Sequence, residues 1–187
     1  GKTTPSNTGA GGTYAYTITP RLIVGDTTGG TITITDNLPN NINVVSNPVI
    51  TGSSGVWSCG YFVPPALTVP VTIPFLVSAG SPATLVCTSS TAYTNSATTT
   101  ATLASIAFNY QPQVGGTLIN SATIAVSGVT DPVAGNNTAS ATTTVTASSD
   151  LQVVKTSTGT DAMLLGTPFN YNVAFWNLGP GAIPTGT

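Results

Sequence analysis

The chain reads as an all-β protein, with one antiparallel β-sandwich repeat over residues 1–149 and the opening strands of a second repeat over 150–187. Three observations carry that reading. Apolar residues alternate with Thr, Ser or Asn at a period of two, and no stretch shows a helical repeat with caps. Thr, Gly and Pro are abundant, which suits pleated strands and tight turns and opposes helices. The beginning of the chain also recurs: Lys2-Thr3 returns as Lys155-Thr156, at an offset of 153, and the stripe Tyr14, Tyr16, Ile18 returns as Phe169, Tyr171, Val173, at an offset of 155.

Taken in order, the strand signals are these. Tyr14, Tyr16 and Ile18 alternate with Ala15, Thr17 and Thr19, and residues 31–35 alternate strictly around Ile32 and Ile34. Further on, Ala122, Ile124 and Val126 share one face. Ala139, Ala141 and Val145 do the same, with Ser140, Thr142, Thr144 and Thr146 on the wet side. Turn-forming clusters of Gly, Asn, Asp and Pro at 25–30, 37–41, 52–55 and 131–137 fall where hairpins need them. Short strands separated in this way predict a sandwich.

Residues 60–77 break the pattern, because Pro64, Pro65, Pro70 and Pro74 punctuate an apolar run. Proline cannot donate to a strand ladder, so the run belongs to an edge or an extended loop. Tyr61, Phe62, Val63, Leu67 and Phe75 make it a candidate contact surface between subunits. Alternatively, the run folds back and plugs one end of the sandwich.

Charge is the compositional anomaly. Only 4% of residues are charged, against about 25% in an average domain, and Lys2, Arg21 and Lys155 are the only cations in a chain of net charge -2. There is no basic patch for nucleic acid or an anionic surface. Every apolar run is interrupted well before about 18 residues, so no membrane insertion is expected. No positively charged leader precedes an apolar stretch, so an export signal is expected to have been removed or to lie outside this sequence. Sheet edges are normally kept apart by Lys, Glu and inward-pointing charges. This sequence has few of those, so its edges should be covered by neighbouring chains, by glycans, or by both.

Cys59 and Cys87, the two cysteines, read as a disulfide formed in an oxidising compartment. The rival, a two-Cys metal site, lacks His or further Cys to complete a tetrahedron. With no His and no Glu, acid-base catalysis would fall to five aspartates in separate contexts, so neither an enzyme nor a cofactor is expected. Asp36 in particular is expected to cap the turn before Leu38-Pro39, and a calcium role would need Asp26 or Asp131 beside it. A Lys–Asn isopeptide staple at Lys2 or Lys155 would need a buried acid next to the lysine, and the sequence places none there. Asn136-Asn137-Thr138 is an N-glycosylation sequon in a predicted hairpin, which makes Asn136 a candidate glycan site. Trp57 and Trp176 are suited to stacking on sugar rings, but both are explained by the strand pattern.

Several segments together resemble a known family. These are residues 13–19, 30–39 (with Asp36-Asn37-Leu38-Pro39), Val56-Trp57-Ser58-Cys59, Asn120-Ser121-Ala122-Thr123, Asp131-Pro132, Asn136-Asn137-Thr138-Ala139 and 150–156. In that order they resemble the conserved repeat called domain of unknown function eleven, found in long bacterial and archaeal surface proteins. The resemblance covers nearly the whole chain. It implies an immunoglobulin-like sandwich, an exported wall, sheath, fibre or adhesin component, and no catalytic residues. The proline-rich stretch between Cys59 and Cys87 departs from the family pattern, as does the absence of the usual continuation after Pro20, which returns in related form at 176–180.

The second repeat carries the sharpest expectation. A segment under about 40 residues cannot bury a stripe of Phe169, Tyr171, Val173 and Phe175 by itself. These four residues are candidate inter-subunit contacts, to be covered by further chain or by a neighbouring subunit through strand addition. The expected function is therefore structural and extracellular: a subunit of a cell-surface fibre, pilus-like filament or sheath, with itself as its main partner. A stalk or spacer repeat of a large surface adhesin is the alternative.

Overall fold

The computed structural model describes residues 1–23, 28–52, 55–63, 72–96, 98–147, 149–157, 165–166 and 168–179. Its strands in chain order are β1 (Lys2–Thr3), β2 (Asn7–Gly9), β3 (Tyr14–Ile18), β4 (Arg21–Leu22), β5 (Ile32–Asn37), β6 (Ile42–Val44), β7 (Val49–Thr51) and β8 (Ser58–Phe62). They continue with β9 (Phe75–Val77), β10 (Thr84–Ser89), β11 (Ala101–Thr102), β12 (Ser105–Pro112), β13 (Gly116–Val126), β14 (Thr138–Thr146), β15 (Leu151–Ser157) and β16 (Tyr171–Asn177). One short 3-10 turn, Ala134–Asn136, lies between β13 and β14. Among the described residues no helix is long and apolar enough to cross a membrane.

Two six-stranded sheets pack together as an all-β sandwich. The first runs β1-β3-β12-β6-β9, with β7 pairing a different stretch of β12; the second runs β2-β14-β13-β5-β10-β8. All pairings in both sheets are antiparallel except β2 with β14, which is parallel.

The alternation in the sequence becomes the division between core and surface. In β5 the residues Ile32, Ile34 and Asp36 point inward; in β14 Ala141, Thr143 and Val145 do so, while the intervening threonines are exposed. The centre of the core is aromatic. Tyr16 stacks on Tyr110 at 4.2 Å between ring centroids, and Phe108 meets Tyr61 edge-on at 6.0 Å, which joins the first sheet to the second. Such pairs add about 0.5–1.5 kcal/mol beyond the area they bury.

The stretch expected as a contact surface is corrected in part. Tyr61 is buried, packs edge-on against half-buried Phe75 at 5.2 Å, and donates from its hydroxyl to the Ser46 carbonyl. Phe62 is half-buried on β8, and Val63 and Phe75 pack against the core. Tyr61, Val63 and Phe75 therefore act in the folded-back way, closing the sandwich, because β9 pairs with β6 and turns its apolar side inward, whereas Phe62 alternates with Tyr61 on β8 and is not part of that packing. Leu67 lies outside the described residues.

Candidate functional site

The most unusual chemistry of the fold sits between the sheets. Lys2, on β1 of the first sheet, reaches Asp36, on β5 of the second, with Nζ 2.5 Å from Oδ2, and both side chains are fully buried. Asn120, on β13 next to β5, is also fully buried, and its Nδ2 donates to the same Asp36 oxygen at 3.4 Å. The lysine nitrogen lies 5.1 Å from the centroid of the Tyr16 ring. Among the described residues, Asp36 Oδ1 and Asn120 Oδ1 have no hydrogen-bond partner.

Burial dominates the electrostatics of this cluster. Loss of hydration lowers the Lys2 pKa from its ordinary 10.5 to about 8, although the neighbouring carboxylate pulls the other way. The same loss of hydration raises the Asp36 pKa above its ordinary value, opposed by Lys2 and by the Asn120 hydrogen bond. Both shifts favour the uncharged forms. Tyr16 and Tyr61, whose rings line this part of the core, are also held well above the ordinary phenol value by burial.

Asp36 is thus not the turn cap expected before Leu38-Pro39. It belongs to β5 and faces the core. The clue was its position in the alternation, two residues after Ile34 and four after Ile32, which puts its carboxylate on the inward face. Asn120 carries the same clue, between inward Leu118 and inward Ala122 on β13. Asp131 does form a turn, accepting a hydrogen bond from the Val133 amide, while Asp26 lies outside the described residues. No group of three or more His, Cys, Asp or Glu side chains suited to a metal occurs among the described residues.

Cys59 and Cys87 are joined in a disulfide. They stand directly opposite each other on β8 and β10, so the bridge pins an edge strand to its neighbour within one sheet. Asn136 is exposed at the end of the 3-10 turn between β13 and β14.

The second repeat forms a hairpin, β15 with β16, and it reproduces the first. Lys2 pairs with Ile18 and Thr3 with Thr17; Lys155 pairs with Val173 and Thr156 with Asn172. These are corresponding residues under the sequence repeat. Lys155 also sits over the Tyr171 ring at 3.9 Å, as Lys2 sits near Tyr16. The stripe is uncovered: Phe169, Tyr171, Val173 and Phe175 are 40, 55, 52 and 79% exposed. On the other face Val154 and Trp176 are exposed too.

A cleft of about 590 Å³ opens between the sheets, lined by Ile18, Leu22, Ile34, Leu103, Ile124 and Val126 among others. It lies near the start of β14, at Thr138 and Ala139, whereas the chain leaves β14 toward the hairpin at its other end. No signal in the sequence pointed to this cleft, because its lining comes from strands of both sheets.

No protein-family model matches the chain, and no curated protein matches it in sequence.

Proposed function

We propose that the chain is an extracellular structural protein, a subunit of a cell-surface fibre, pilus-like filament or sheath built from immunoglobulin-like repeats by strand pairing and end-to-end packing. The observation that carries this reading is the β15–β16 hairpin. It copies the register of β1 and β3, yet the stripe that is buried at Tyr16 and Ile18 in the first unit is open in the second. Covering each Phe or Val of that stripe recovers up to about 1.5–3 kcal/mol, so the hairpin has a drive toward a partner of the kind that buries Tyr16 and Ile18.

The apolar cleft and the hairpin attach at opposite ends of β14, which suits head-to-tail propagation. The disulfide fits an oxidising, extracellular setting. The resemblance to repeats of prokaryotic surface proteins points to the same class, and exposed Asn136 offers a place for a glycan on such a surface.

The faithful recurrence of the Lys–Tyr register also supports the alternative, a stalk or spacer in which further residues of the same polypeptide complete the second unit. Electron microscopy and sedimentation of the whole chain and of a chain stopped at residue 149 separate the two. A polymer predicts filaments or concentration-dependent association that is lost on truncation. Monodisperse monomers from both would overturn the fibre reading and favour the spacer.

A further inference from the structure

Buried lysines are rare unless paired, and a pair in an aromatic core carries a heavy desolvation cost. Here the pair is accompanied by a third group, a carboxamide held on the same carboxylate oxygen. An amine, a carboxamide and a carboxyl meeting in a dry pocket are the reactants and the proton carrier for one reaction, transamidation. We propose that Lys2 and Asn120 become joined by an intramolecular isopeptide bond, formed by the protein itself with Asp36 as the catalytic residue.

Each role follows from position. Lys2 Nζ is the nucleophile and attacks Cγ of Asn120. Asp36, in its acid form, donates to Asn120 Oδ1 once the carboxamide turns its oxygen toward it, and so stabilises the charge that builds there. The carboxyl then takes a proton from Nζ and passes one to Nδ2. The Nζ–Cγ bond forms, the Cγ–Nδ2 bond breaks, ammonia leaves, and Asp36 returns to its starting state. No oxidant or cofactor is consumed.

Burial assists in two ways. It holds the amine and the acid toward their neutral forms, as the reaction requires. It also fixes the reacting groups on strands of a rigid sandwich, which replaces a bimolecular encounter by a positioned one. The product ties β1 of the first sheet to β13 of the second. Lys155 is a built-in control, for although it sits over Tyr171 as Lys2 sits near Tyr16, it lies on an exposed strand and has no ion-pair partner among the described residues.

Intact mass spectrometry of the whole chain, with the disulfide reduced, tests the proposal. The expected mass is that of the sequence less one ammonia, with fragmentation joining a peptide that contains Lys2 to one that contains Asn120. Lys2→Arg, Asn120→Ala and Asp36→Asn should each restore the full mass, and Lys155→Arg should leave the deficit unchanged. A wild-type chain of full mass overturns the proposal, whether or not the variants fold. So does a deficit of one water, which would mark an amide between Lys2 and Asp36.

Discussion

The β1–β3 pair at the start of the chain and the β15–β16 hairpin near its end are the same element in two surroundings. Their register is shared, and each places a lysine over a tyrosine ring. Yet Tyr16 is 0% exposed and Tyr171 is 55% exposed. The lysine that is locked to Asp36 in the first is left on the surface in the second. Local sequence therefore specifies the pairing of the opening strands, while burial and the ionic partner come from strands later in the chain, β5, β12 and β13.

The comparison breaks most sharply at the lysines. Lys2→Ala removes the partner of a fully buried Asp36 and should destabilise the first unit by about 3–5 kcal/mol. Lys155→Ala removes only an exposed cation–π contact and should cost at most about 1 kcal/mol. Urea titrations of the two variants measure both. Equal effects would mean that the two lysines occupy equivalent surroundings, contrary to the structure.

Reduction of Cys59–Cys87 comes next. The bridge closes a loop with a sequence separation of 28, and its loss should lower stability by about 3 kcal/mol. The hairpin has no such bridge and should be unaffected, so a tryptophan signal from Trp176 that shifts together with the core on reduction would contradict the separation of the two regions.

The third effect is a pH dependence, visible where the amine stays free, as in Asn120→Ala. Lys2 then has a folded pKa of about 8 against 10.5 when unfolded. Between those values the unfolded state binds more protons, so stability rises as pH increases across that window. Asp36 works the other way. Its raised folded pKa makes stability fall as pH rises from the ordinary value of 3.8 through the elevated one. Denaturation midpoints measured over a pH series show both slopes, and the Lys155→Ala variant of the same protein should retain them.

The smallest change in stability is expected at the hairpin stripe. Phe175→Ser should alter the stability of the first unit by less than about 0.5 kcal/mol, since Phe175 is 79% exposed. It should nonetheless weaken self-association, as measured by sedimentation at several concentrations.

Much of this fold is legible in the sequence because a strand's two faces are written at a period of two. Tyr14 to Ile18, Ile32 to Asp36 and Ala139 to Val145 all show it, and the uncovered stripe of the second unit follows from the same rule. The neighbours of each strand are not written locally. Lys2 meets Asp36 across the gap between sheets, and Asp36 meets Asn120 only because β13 lies beside β5. The assignment of Asp36 to a turn put the nearby Leu38-Pro39 above the inward phase of its own strand. Tyr61 is in the core for a related reason: prolines at 64, 65, 70 and 74 argue against a central strand, but they do not prevent the flanking residues from closing the core.

The parallel pairing of β2 with β14 sets side by side a strand close to one end of the first unit and the strand that leaves it at the other. Backbone bonds from Ala10 to Thr146 and from Thr144 to Ser6 extend that ladder. In a chain whose Lys2 and Asn120 are not joined, a tensile load applied along it would pull these two strands in opposite directions along their common axis. The bonds between them would be loaded in shear, all together, instead of being peeled one at a time.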